Sequence, residues 1–421
     1  MTFHRINDIF TTSSSLLEAS SNRCRRLEAA IEHGVGSELF DVSGRRYIDF
    51  TCGTGGLSFG HNLPAMKAAL TEYFLADGIA DGAGFRSASR AVFMQTLEEI
   101  ILAPRKLNYK IHVPAPTRAN ALHDALSLAR RVTGRRRIAV VGEAKHCRIP
   151  LILDVDEAEK PGGQSRSSDF VRLPYSHLQS HDFDAVDFKN FDIIDIGNEA
   201  PAAFLVDAFE ARDLMQHASP EWLLRLEELA RRLGALLIVD ENSGGMGATG
   251  EFFAFEGSGI RPDIVLLSGS LSGFGLPIEV VLIHPGIDQF EDLELSATSV
   301  EPNLAFITSN VGLRLWQDAS FQAELRGKID FLDQSLTKIV SLLPAGAASA
   351  RGIGMVRGLA TQDRRLALLI IQRAYENGLL VETFWEEKEV VKIAPALTMP
   401  SSLLAEAMLV FTQAAFEVIS Q

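Results

Sequence analysis

The chain has few cysteines, and the three present, Cys24, Cys52 and Cys147, are odd in number and widely spaced. Neither a disulfide framework nor a CxxC metal pair can be built from them, so no metal is expected and a reducing cytoplasm fits. Positive charge is also in deficit, with 40 Lys+Arg against 54 Asp+Glu and a formal net charge of −14. That balance lacks the basic footprint that nucleic acid or an anionic membrane requires, which leaves small molecules or proteins as partners. Long apolar runs are missing too. Met1 to Glu18 has no basic stretch followed by an apolar one, and no later segment reads as long enough to span a membrane. Repeats and low-complexity tracts are lacking, apart from a Gly/Ser-rich patch at Pro161 to Ser168 that reads as an exposed loop. What remains, 47% hydrophobic and 22% charged over 421 residues, describes a folded chain able to bury a large core.

Residues 1–35 read as a polar, partly helical arm, and Leu39 to Phe50 as a hairpin turning at Ser43-Gly44. Five short apolar runs rich in β-branched residues suit buried parallel strands: Ile138 to Val141, Ala203 to Val206, Leu236 to Val239, Ile264 to Leu267 and Val280 to Ile283. A helical stretch at Ala121 to Val132 precedes the first of them and another at Glu221 to Leu233 separates the second from the third, opened by a Ser219 cap and Pro220. Such βα alternation predicts an α/β fold with a mainly parallel sheet covered on both faces. Beyond about residue 310 the pattern changes. Helical periodicity is read at Asn310 to Gln317, Phe321 to Leu343, Gly352 to Leu359 and Ala367 to Asn377, with a strand pair near Leu379 to Lys392, as in a smaller α+β unit.

The segment Leu236 to Glu256 (LLIVDENSGGMGATGEFFAFE), with Arg261 to Pro277 (RPDIVLLSGSLSGFGLP), resembles the signature of class III aminotransferases. Within that family the chain is most similar to the diaminobutyrate type, at Asp41 to Phe50, Gly60-His61-Asn62, Pro104 to Lys110, Ser219 to Leu229 and Val390 to Pro395. The resemblance implies pyridoxal phosphate as cofactor and the fold-type-I transferase fold. It also implies a dimer with active sites between subunits. The organisation that follows is an N-terminal arm with part of the small domain at 1–59, a large domain at 60–310 and the C-terminal small domain at 311–421.

Family chemistry needs a lysine to form the Schiff base and move a proton, and a carboxylate to keep the pyridine nitrogen protonated. Asp240 matches that carboxylate, but Gly269 stands at the position of the lysine. Other matched positions have changed as well. The Gly-Thr turn that receives the phosphate corresponds to Thr117 and Arg118, and the ring-covering aromatic of a Phe-His-Gly motif corresponds to Lys145, with His146 kept and Cys147 after it. The glutamine of the Asp-Glu-x-Gln motif has become Ser243, the later arginine Ala248, and a Glu-Gly-Glu element Glu210-Ala211-Arg212. Thr298 still matches the threonine that reaches a partner's phosphate, beside Ser299, Val300 and Glu301 where the family pattern differs.

Loss of the nucleophile, ring platform, phosphate glycine and substrate arginine together points to relaxed selection for transamination. Covalent cofactor binding is expected to be lost. Three functions remain open on the sequence. One is a non-transaminating homologue that acts by binding, as a homodimer or as partner of an active aminotransferase. Another is an enzyme with a rebuilt pocket, holding pyridoxal phosphate noncovalently or working without it through Lys145, His146, Cys147, Arg118, Asp207, Glu210 or Arg212. The third is an active diaminobutyrate-type transaminase whose lysine lies elsewhere; a search finds Lys392, but it belongs to the strand Val390-Val391-Lys392 and matches a family position distinct from the catalytic one. Arg118 and Lys145 place two added cations beside Asp240. Closure of the pocket by an Arg118–Asp240 pair is expected, because an unpaired buried carboxylate is costly.

Overall fold

The computed structural model describes residues 29–82, 86–141, 170–173, 200–210, 216–289, 300–383 and 389–419. The arm before residue 29 and the Pro161 to Ser168 patch lie outside them. A seven-stranded sheet dominates, in the spatial order Lys110–His112, Val280–Ile283, Ile264–Leu267, Leu236–Asp240, Ala203–Val206, Ile138–Val141 and Phe170–Leu173. All five apolar runs are strands in it, and all five are buried. Four of them are parallel as expected, but Val280–Ile283 runs antiparallel to both neighbours. An apolar run reports burial on both faces and carries no sign of chain direction.

The two faces pack separately. Leu237, Val239 and Val265 join one core cluster, while Leu236, Ile238 and Leu266 join another under the Arg118–Thr133 helix, through Ala121, Leu122 and Ala125. Strand alternation explains the split, since successive side chains leave opposite faces. The Pro220–Leu233 helix begins as expected, with the Ser219 hydroxyl accepting from the Trp222 N–H at 3.2 Å.

The smaller sheets depart further from the sequence reading. Gly352 to Leu359 is not helical: Ala348–Ile353 and Val356–Thr361 form an antiparallel hairpin joined by Val390–Ile393 and Glu382–Thr383. Val356 to Thr361 is buried along its length, as suits an inner strand. Ile31–Val35, read as part of the arm, is a strand beside the Glu38–Asp41 and Arg46–Asp49 hairpin, and Leu379–Leu380 pairs with that hairpin from the other end of the chain. The helix expected from Asn310 starts at Asn303. One helix, Ser401–Ile419, does reach membrane-spanning length, at 19 residues with mean hydropathy 1.5. It packs Leu403, Leu404, Ala407, Met408 and Phe411 into the core.

Candidate functional site

Three carboxyl groups gather at one end of the large sheet. Asp240 ends its strand, and Asp207 follows the adjacent parallel strand, whose register pairs Val206 with Val239. The two aspartates are therefore side by side beyond the carboxyl ends of neighbouring strands, where open α/β sheets place their ligands. Glu279 precedes Val280, and the antiparallel direction of that strand brings it to the same end. By alternation all three point to the face covered by the Arg118–Thr133 helix.

Arg118 is the first residue of that helix. Thr117 caps it, its hydroxyl accepting from the Asn120 N–H at 3.3 Å. The Arg118 guanidinium donates through Nη2 to Asp240 Oδ2, and the Asn242 N–H donates to Oδ1 at 3.0 Å, so both oxygens of Asp240 are engaged. The pair expected from the sequence is formed. Asp207 accepts from the Phe209 N–H at 3.0 Å, and its other oxygen has no hydrogen-bond partner among the described residues. The Ser243 hydroxyl lies beside Asp207 and draws its carboxyl down, although the contact falls short of a well-formed hydrogen bond. Burial, and then the Asp240 charge, hold the Asp207 carboxyl well above the usual range. Burial raises Glu279 to about 8, with Arg118 drawing it down and Asp240 pushing it up. Glu241, fully buried, accepts from the Ala254 N–H at 2.7 Å and the Phe255 N–H at 3.3 Å, yet burial still raises it to about 8.

These shifts set a pH dependence. An acid whose pKa is raised on folding binds more protons in the native state than in the unfolded one. Its contribution is therefore complete below about 4.5 and is lost as pH rises toward 8. Denaturation midpoints are expected to fall between pH 5 and pH 8 and then level off, and Glu279→Gln should flatten part of that slope. Midpoints that climb over this interval would contradict the assignment.

Beside this acidic floor, a cavity of about 250 Å³ opens at Gly269, lined among others by Asn242, Ser243, Ser270, Glu382 and Lys392. Neither Arg118 nor Asp240 is on its wall. A Cβ added at Gly269 would meet nothing nearer than the Ile278 carbonyl oxygen at 4.0 Å, and the backbone there does not have a positive φ. Neither sterics nor conformation requires glycine at this position. Lys392 shares the cavity and donates to Glu382 Oε1 at 3.5 Å.

The sequence reading missed Glu279, Glu382 and the entry of Lys392 into this cavity. A charged residue opening the wholly apolar run Val280 to Ile283 was the available signal for the first. The other two depend on how the small sheet docks. Lys145, His146, Cys147, Arg212 and Thr298 lie outside the described residues, as does the side chain of Glu210. No group of three or more potential metal ligands occurs among the described residues.

Residues 19–415 match the class III aminotransferase family. Over 382 residues the chain is 37% identical to a diaminobutyrate-2-oxoglutarate transaminase of Halomonas elongata, covering 88% of this chain and 90% of that one. Over 394 residues it is 34% identical to the enzyme of the same name from Halalkalibacterium halodurans, covering 93% and 92%. The chain belongs to the class III aminotransferases, a generally dimeric family whose cofactor is pyridoxal phosphate. Its fold is the fold-type-I transferase fold. It superposes on a Bacillus anthracis aminotransferase with a TM-score of 0.80 at 14% identity, over 99% of this chain and 100% of the other. The Toxoplasma gondii ornithine aminotransferase gives 0.78 at 20% identity, over 99% and 96%.

Proposed function

We propose that this class III aminotransferase-like chain, related to the diaminobutyrate type, has lost transamination and acts through binding, alone or as partner of an active aminotransferase. Gly269 carries the reading: it stands where the resemblance puts the Schiff-base lysine, and no fold requirement explains a glycine there. The other residues present fit the cofactor poorly. Asp240, which would meet the ring nitrogen, already holds Arg118, and the Thr117 hydroxyl is used as a helix cap. Ser243 lines the cavity beside Gly269, without the reach of the family glutamine. Purified protein should show no transamination of 2,4-diaminobutyrate with 2-oxoglutarate, and turnover above that of a buffer control would refute the reading.

A second reading, an enzyme with a rebuilt pocket, is favoured by one observation: Lys392 brings a primary amine to the cavity wall that includes Gly269. Its ammonium is held by Glu382, and it comes from the small-sheet strand Val390–Ile393. Lys145 is the other amine this reading could use. Either would be revealed by an adduct with pyridoxal phosphate on that residue.

In this reading the chain comprises an N-terminal arm with part of the small domain at 1–59, a large domain at 60–310 and a C-terminal small domain at 311–421, and it works in the cytoplasm. A dimer is expected in solution. Phe74, Leu75 and Ile79 are 54%, 82% and 53% exposed at one end of the Pro64–Leu75 helix, an apolar patch that a partner subunit would cover. Light scattering should give twice the chain mass at micromolar concentration, and a monomer would count against this.

A further inference from the structure

We propose that the Arg118 guanidinium is the resident cation of an acidic pocket formed by Asp240, Asp207 and Glu279, taking the place a cofactor ring nitrogen would have on Asp240 and keeping pyridoxal phosphate out. The proposal rests on reading this site as the family's cofactor site, and it concerns occupancy of that site, separately from the missing amine.

The setting of Arg118 is unusual. A cation at a helix N-terminus opposes the helix dipole, so the carboxyl groups above it must supply the compensation. They outnumber it: Asp240, Asp207 and Glu279 all lie at this end of the sheet, and Arg118 draws down both Asp207 and Glu279. An arginine recruited to bind a phosphate would keep its head at the N–H groups of the first turn, where an anion is favoured. Here the head is turned onto Asp240 instead. A phosphate entering there would meet the Asp240 charge, beside two carboxyl groups that burial already disposes against ionising. The open volume agrees, since the cavity beside Gly269 stops short of both Arg118 and Asp240.

Pyridoxine 5′-phosphate tests the idea, because it carries the ring nitrogen and the phosphate but no aldehyde with which to modify surface lysines. Titrated calorimetrically into the intact protein at up to millimolar concentration, it should show no saturable binding. Arg118→Ala should unfold at a lower temperature, and low-millimolar methylguanidinium should raise the Tm of that variant while leaving the intact protein unmoved. If the variant does not fold, recovery on refolding with methylguanidinium upholds the proposal and failure to recover overturns it. Binding of pyridoxine 5′-phosphate to intact protein, weakened about tenfold or more in Arg118→Ala, would make Arg118 a phosphate ligand. Binding to intact protein without such weakening would equally show that Arg118 excludes nothing. Either result leaves the argument from Gly269 untouched, whereas a lysine adduct with pyridoxal phosphate would sink the loss of transamination and leave Arg118 to be judged by this titration.

Discussion

Gly269→Lys is expected to fold normally and still fall short of a working transaminase by at least roughly 10²-fold, the lower range of what one positioned acid–base group contributes. The side chain has room to start, since a Cβ there clears its nearest neighbour at 4.0 Å. Restoring the amine does not release Asp240, whose two oxygens remain with Arg118 and the Asn242 N–H. Combining Gly269→Lys with Arg118→Gly should therefore recover more activity than either change alone, measured as glutamate formed from 2-oxoglutarate and 2,4-diaminobutyrate. Full activity in the single Gly269→Lys variant would show that the departures at Arg118 and Ser243 do not impair the reaction.

The second large effect concerns stability, and it is asymmetric. Arg118→Met leaves Asp240, Asp207 and Glu279 without their shared cation, and stranding a buried charge costs about 3–5 kcal/mol. Asp240→Asn should cost less, about 1–3 kcal/mol, because Arg118 keeps two other carboxyl groups nearby that can ionise toward it. The Arg118→Met deficit should shrink as pH falls toward 5, since an unpaired acid is then relieved by protonation. Urea unfolding of both variants at two pH values measures this. Equal losses, or a larger loss for Asp240→Asn, would show that Arg118 does not serve the cluster as a whole.

Much of the large sheet was legible in the sequence because its strands are buried on both faces and so appear as short uninterrupted apolar runs. Their burial was readable but the direction of Val280–Ile283 was not. That direction matters, because it is what carries Glu279 to the acidic end of the sheet. The Arg118–Asp240 pair could be anticipated because the family resemblance puts both residues at one site, Arg118 at the phosphate turn and Asp240 at the end of an apolar strand, although the Thr117 cap that starts the helix at Arg118 was not read. Gly352 to Leu359 was misread although Gly352, Gly354 and Gly358 all disfavour a helix; Gly352 and Gly354 take the positive φ of a hairpin turn, and pairing with Val390–Ile393 completes the strand. Lys392 and Glu382 reach the Gly269 cavity from that same small sheet, more than a hundred residues away in sequence, so their place depended on docking that no local pattern encodes.

The most direct test is to incubate the protein with one equivalent of pyridoxal phosphate, reduce with borohydride, and map the modified peptides by mass. The expected result is no lysine labelled to stoichiometry, only scattered low-level modification of exposed lysines. Stoichiometric labelling of a single lysine would contradict the loss of covalent cofactor binding, and if that lysine were Lys392 or Lys145 it would establish the rebuilt pocket in its place.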